Sequence, residues 1–220
     1  MTNKYFQDIK IDVLKDKKNY SKIVAEPFDR GYGVTVGNGL RRTLLTSLPG
    51  AAVTSIKIDG ISHEFSTIDG VTEDVSEIIL NLKKIRFKMT DDATTELINF
   101  EFEGPGDLKA EFINNYISDF EVINKNQHLL QFNSKKKLTF EMRISRGKGY
   151  VPSEKNKRPD DTLGTISIDS IYNPVTNVTW EVQPIAASTE GNERLIMEIE
   201  SDGSIAPKDC INHAALIMRQ

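Results

Sequence analysis

Thr35-Val36-Gly37-Asn38-Gly39-Leu40-Arg41-Arg42-Thr43-Leu44-Leu45-Thr46-Ser47-Leu48-Pro49-Gly50 is the first of three places where a chain of short alternating segments turns helical. Val36, Leu40, Leu44 and Leu48 recur every fourth residue and Leu45 widens the stripe, so a helix is predicted from about Gly37 to Leu48. Thr35 offers a hydroxyl that can accept from a free first-turn amide, and Pro49-Gly50 ends the helix. Arg41 and Arg42 lie off the leucine stripe and face solvent or a partner. Upstream, Arg30-Gly31-Tyr32-Gly33-Val34-Thr35-Val36-Gly37 has the glycines of a phosphate loop. A dinucleotide fingerprint, however, needs glycine where Val36 stands, and no Gly-Lys-Ser or Gly-Lys-Thr follows. These glycines read as a sharp turn into the helix.

Downstream, Ser55-Ile56-Lys57-Ile58 and Ile61-Ser62-His63-Glu64-Phe65 flank Asp59-Gly60, the chemistry of a tight hairpin. Strands are predicted over residues 97–103, 120–124, 129–133, 138–145, 165–172, 178–182 and 195–200, each alternating or rich in β-branched and aromatic residues. Lys135, Lys136 and Lys137 read as a solvated hairpin turn, and Arg146-Gly147-Lys148-Gly149-Tyr150-Val151-Pro152 as a loop leaving a strand, either a surface turn or a docking loop with an aromatic anchor. A second helix is predicted from Val71 to Lys84, with Val71, Val75, Ile78, Ile79 and Leu82 on one face. Glu73, Asp74 and Glu77 precede Lys83 and Lys84, the order the helix dipole favours. A third starts near Pro207 and carries Cys210, Ile211, Ala214, Ala215, Ile217 and Met218 on a broad apolar face, which packs on its own sheet or on another copy. The fold class is α+β, antiparallel sheets with a few helices.

The composition of the 220 residues, 38% hydrophobic and 27% charged, is that of a chain able to build a genuine core. A net charge of −4 argues against binding nucleic acid mainly by neutralising phosphates, which needs a concentrated basic face. The single cysteine, Cys210, cannot form an internal bridge and fits a reducing compartment; no apolar run of membrane-spanning length occurs. His63, His128 and His213 are scattered without metal-ligand spacing, and no Gly-x-Ser-x-Gly elbow is present. No catalytic, cofactor or metal site is expected. Neither an internal repeat nor a low-complexity linker marks a boundary, so any second lobe is expected as an insertion.

Glu26-Pro-Phe-Asp-Arg-Gly-Tyr-Gly-Val-Thr-Val-Gly-Asn-Gly-Leu-Arg-Arg-Thr-Leu-Leu-Thr-Ser-Leu-Pro-Gly50 closely resembles the signature of the bacterial RNA polymerase alpha-subunit family. The likeness continues through Ile58-Asp-Gly-Ile-Ser-His-Glu-Phe-Ser-Thr67, Gly70-Val-Thr-Glu-Asp-Val-Ser-Glu-Ile-Ile-Leu-Asn-Leu-Lys83, Arg146-Gly-Lys-Gly-Tyr-Val-Pro152, Ile168-Asp-Ser-Ile-Tyr-Asn-Pro-Val175 and Asp202-Gly-Ser-Ile-Ala-Pro207, leaving residues 90–137 weakly matched. The resemblance implies a discontinuous dimerisation lobe over residues 1–49 and 175–220, with a β-rich lobe inserted over 50–174. It implies a homodimer that scaffolds the beta and beta-prime subunits of a nucleotidyltransferase complex in the cytoplasm, at the bacterial nucleoid or an organellar equivalent, with no cofactor and no membrane. DNA would be met only through the assembled enzyme.

By the same resemblance Arg42 and Glu77 are expected to contact beta, and Lys83 and Ile168 beta-prime. Leu40, Leu44, Leu45, Leu48, Ile211, Ala214, Ala215 and Met218 are expected at the dimer interface. The family's flexible linker and helical DNA-reading domain have no counterpart here, and its last helix ordinarily runs past the position of Gln220. The competing expectations are a nucleic-acid-binding module using Arg41-Arg42, the lysine run and Arg146–Lys148, and an enzyme built on the glycine turn and the histidines.

Overall fold

Strands outweigh helices in the computed structural model, which describes residues 9–186 and 188–219. The first elements in chain order are β1 (Lys10–Lys17), β2 (Tyr20–Phe28), α1 (Tyr32–Thr46), β3 (Pro49–Ile58), α2 (Val75–Leu82), β4 (Phe87–Met89), β5 (Thr95–Glu103) and β6 (Gly106–Lys109). After a 3-10 turn over Ala110–Asn115 come β7 (Phe120–Val122), β8 (His128–Phe132), β9 (Lys137–Lys148), β10 (Tyr150–Val151) and α3 (Ser153–Asn156). β11 (Ile166–Ser167), β12 (Ser170–Ile171), β13 (Val175–Pro184), β14 (Glu193–Ser201) and α4 (Pro207–Arg219) complete the chain. It divides into two compact units, Met1–Leu48 with Pro174–Gln220, and Pro49–Asn173.

In the first unit an antiparallel sheet of order β1-β2-β14-β13 is packed by α1 on β13 and β14 and by α4 on β14 and β2. Ile23, Ala25, Val178, Leu195, Met197 and Ile199 form the covered face and meet Leu44, Leu48, Cys210, Ile211 and Ala214 of the helical layer. β1 continues that face, since Ile11 lies opposite Ala25 and Val13 opposite Ile23, yet every residue of β1 is exposed. Its charges and the bulge between Val13 and Lys15 discourage pairing along the free edge.

α1 begins at Tyr32, five residues ahead of the predicted start, and Thr35 lies inside it rather than at its cap. The cap is Gly31, at φ 84°, a left-handed conformation suited to glycine. No local side chain caps this end; the Glu193 carboxylate, far away in sequence, accepts the Gly31 N–H. Gly33 and Gly37 are therefore not turn residues. A Cβ on Gly37 would sit 2.8 Å from the Trp180 ring, so that glycine lets the helix lie close on β13.

The second unit is built on an antiparallel sheet of order β11-β3-β9-β5, with the two-stranded ribbons β4-β7, β6-β8 and β10-β12 around it. Val53, Ile56, Ile98, Phe100, Phe140, Met142 and Ile144 share its core with Val75, Ile78 and Leu82 of α2. Phe100 and Phe140, paired across β5 and β9, stack at 5.1 Å. The hairpin expected across Asp59-Gly60 does not form: the turn is made, but residues 61–65 are not a strand, because β3 is already paired by β9 on one edge and β11 on the other. The lysine run is not a hairpin turn either, since β8 pairs with β6 and β9 with β3 and β5. The strand expected over 165–172 is two short pieces that join different sheets, and Arg146–Lys148 belong to β9.

α2 starts at Val75 rather than Val71, which bridges to Phe132 instead. Asp74 caps it: the Glu77 amide donates to Asp74 Oδ1 at 2.8 Å, while the Glu77 carboxylate accepts the Asp74 amide at 3.3 Å. Asp74→Ala should lower the stability of this unit by about 1 kcal/mol. A urea midpoint equal to that of the parent would show that the cap contributes nothing.

Candidate interaction surfaces

In the first unit, the periodic residues of α1 and α4 divide into a buried set and an open set. Leu44, Leu48, Ile211 and Ala214, expected at a dimer interface, are buried in the unit's own core, because a four-residue stripe is what packs a helix on its sheet. Leu40 and Leu45 are half-buried at the edge of that core. Ala215 and Met218 are open, and Leu216, which the sequence reading passed over, joins them; Leu216 is 51% and Met218 45% exposed. Gln220 lies outside the described residues. α1 and α4 pack on each other, close enough that a Cβ on Gly39 would meet Met218 Cε at 2.7 Å.

Arg41 and Arg42 are both exposed but differently placed. Arg41 Nε donates to the Val178 carbonyl at 3.3 Å and is bound to its own sheet. The Arg42 guanidinium makes no hydrogen bond or ion pair among the described residues. Five donors in a planar fork thus stand open to a partner.

In the second unit Lys83 directly follows α2 and its ammonium contacts Asp169 Oδ2 at 2.6 Å. Asp169 lies between β11 and β12, in a stretch fixed on β3: Ile168 N donates to Thr54 O at 2.8 Å and Ser170 Oγ to Val53 O at 2.9 Å. Asn156 of α3 holds it from the other side, donating to Ile168 O at 2.6 Å. Ile168 itself is 1% exposed, so its side chain is core and not a contact surface; it anchors the half-buried Asp169 beside it. Glu77 is exposed and tied into the capping box. Leu80, three residues on, is an exposed leucine that the sequence reading missed. Its signal was present: it falls outside the buried Val75, Ile78, Leu82 spacing.

Among the described residues no group of three His, Cys, Asp or Glu could hold a metal, and no helix is long and apolar enough to cross a membrane. Cys210 is buried, and desolvation, with the charges of Asp202 and Asp209, pushes its thiol pKa up to about 12, far from a nucleophile's range. His63 is in a turn, not a strand, with its Nδ1 at 3.2 Å from Ser66 Oγ, and His213 is exposed on α4. These surfaces offer exposed apolar area and, at Arg42, a guanidinium without a partner among the described residues.

A family model described as RNA polymerase Rpb3/RpoA insert domain matches residues 56–173. The chain is 46% identical over 213 residues to the DNA-directed RNA polymerase subunit alpha of Prosthecochloris aestuarii, covering 96% of this chain and 65% of that protein. It is 46% identical over 199 residues to the subunit of the same name in Salinibacter ruber, covering 90% and 60%, and 44% identical over 204 residues to that of Leptospira biflexa, covering 91% and 62%. The chain therefore spans less than two thirds of the length of these relatives.

Proposed function

The chain belongs to the RNA polymerase Rpb3/RpoA insert-domain family, and from that premise we propose that it is the assembly portion of a bacterial DNA-directed RNA polymerase alpha subunit. It dimerises, gathers the beta and beta-prime subunits in the cytoplasm, and contributes no catalytic group of its own. The observation that carries the reading is the open apolar end of α4, Ala215, Leu216 and Met218; the unpartnered Arg42 of α1 is a separate contact point, left for a different subunit. A two-fold axis would place the same apolar end of a second copy against that of the first, with Leu40 and Leu45 at its margin. Leu44, Leu48, Ile211 and Ala214 then support the interface from beneath.

Arg42 and Glu77 are assigned to beta. Lys83, with Asp169 held in place by Ile168, is assigned to beta-prime. The exposed Leu80 gives the α2 surface an apolar centre between its charges, the composition of a protein interface core with a polar rim. DNA is reached only through the complete enzyme.

Co-expression with beta and beta-prime followed by size exclusion tests this. The expected result is a dimer of the chain that retains beta and then beta-prime. A monomer at micromolar concentration that fails to hold beta overturns it.

A further inference from the structure

Outside these surfaces, His128 of β8 is gripped from two directions. Its Nδ1 is 2.6 Å from Asp107 Oδ1 of β6, and its Nε2 is 2.6 Å from Glu73 Oε1, immediately before the cap of α2. A carboxylate only accepts, so both ring nitrogens must donate, and only the imidazolium does so. A neutral ring would turn a lone pair toward one of the two carboxylates. Because the carboxylates sit on opposite nitrogens, they do not converge on a common point for a metal.

Glu73 is bound on its other side as well, its Oε2 accepting the Gln131 amide of β8 at 2.7 Å. The neighbouring backbone follows the same strand: Thr72 N donates to Gln131 O at 3.0 Å, and Asn133 Nδ2 to Thr72 Oγ1 at 2.8 Å. α2 is joined to β8 once more, by Asn81 Nδ2 donating to Leu129 O at 3.1 Å.

We infer that His128 is a proton-operated latch: doubly protonated, it tightens the hold of the β6–β8 ribbon on residues 72–74, and so on the start of α2, and it loosens that hold when it loses a proton, leaving the Thr72 and Gln131 bonds in place. This goes beyond the proposed function and stands on the chain alone. The Glu73 hydrogen bond, opposed by partial burial and aided by Asp107, holds the His128 pKa above its ordinary value. A raised folded-state pKa contributes stability that is complete below the unfolded value, about 6.5, and is lost as pH rises through the folded one.

The remaining charges on the packed elements are occupied elsewhere or weaker. Lys109 of β6 is 3.8 Å from Asp107 and competes for it. On α2 and its ends, Asp74 and Glu77 cap the helix, Lys83 pairs with Asp169, and Lys84 donates to Asn81. Glu111 and Lys125, on the 3-10 turn and the loop before β8, are joined through their backbones.

The test follows the His128 ring by NMR between pH 5 and 9, with hydrogen exchange of residues 70–84 in the same chain, corrected for the intrinsic rate. His128 should titrate above about 6.5. Protection of α2 should fall at least about threefold as pH passes that point. His128→Gln should abolish the step, and Glu73→Gln should lower the His128 pKa and move the step to lower pH. A His128 that titrates at or below its ordinary value, or a step that persists in His128→Gln, overturns the latch. Should His128→Gln fail to fold, an unmoved His128 pKa in Glu73→Gln overturns it equally.

Discussion

Gly50→Ala is expected to unfold much of the second unit, costing more than about 3 kcal/mol. Gly50 lies near the start of β3, opposite Gly147 of β9, and a Cβ built on it would fall 1.6 Å from the Tyr172 carbonyl oxygen. The obstacle is backbone, so no side chain can rotate away. Gly147 is blocked by the same residue, whose ring lies 2.5 Å from the Cβ that position would carry. The two glycines together form a slot filled by Tyr172, which is buried and donates its amide to Gly149 O at 2.9 Å. Room for one methyl requires parting β3 from this carbonyl, and so loosening the end of the β3–β9 ladder. Gly60→Ala is the control: no atom lies within 4 Å, and only its φ of +77° resists, at a cost of about 1 kcal/mol. Urea melts followed by circular dichroism should separate the two by a wide margin; equal midpoints would show that the Gly50 slot can open.

The sequence was informative where burial is periodic and uninformative where it is not. β5, β13, α2 and α4 could be read because each buries one face and exposes the other, and β14 because Leu195, Met197 and Ile199 alternate into the core. β1 could not, since both its faces are exposed and no apolar alternation into a core marks it. The start of α1 was hidden for another reason: the partner of its Gly31 cap is Glu193, which no window around Gly31 contains. The same distinction governs the candidate surfaces. Leu44 and Leu48 of the four-residue stripe mark the core of the unit, whereas Leu80 and Leu216 are open because they fall off the buried spacing of their helices. Arg42 was legible as an off-stripe charge. Its assignment to a partner, like those of Lys83 and Ile168, came from family resemblance and not from any pattern within the chain.

Arg42→Ala should leave the fold nearly untouched and yet cripple recruitment of beta. The side chain is exposed and has no partner among the described residues, so its loss should change stability by no more than about 0.5 kcal/mol. Alanine is also the better helix former, which suits an α1 position. Binding is different. An arginine seated at the centre of an interface can contribute over about 2 kcal/mol, roughly a 30-fold change in the dissociation constant. Arg42→Lys distinguishes the cause: a lysine keeps the charge but not the planar fork, so it should recover only part of the affinity if the contact is bidentate. Full recovery would reduce the contact to simple charge attraction, and the salt dependence of beta retention would then rise accordingly. Arg41→Ala gives the opposite pattern, because that guanidinium already serves Val178 within the unit and its loss is felt by the fold first. Undiminished retention of beta by Arg42→Ala would remove Arg42 from the interface.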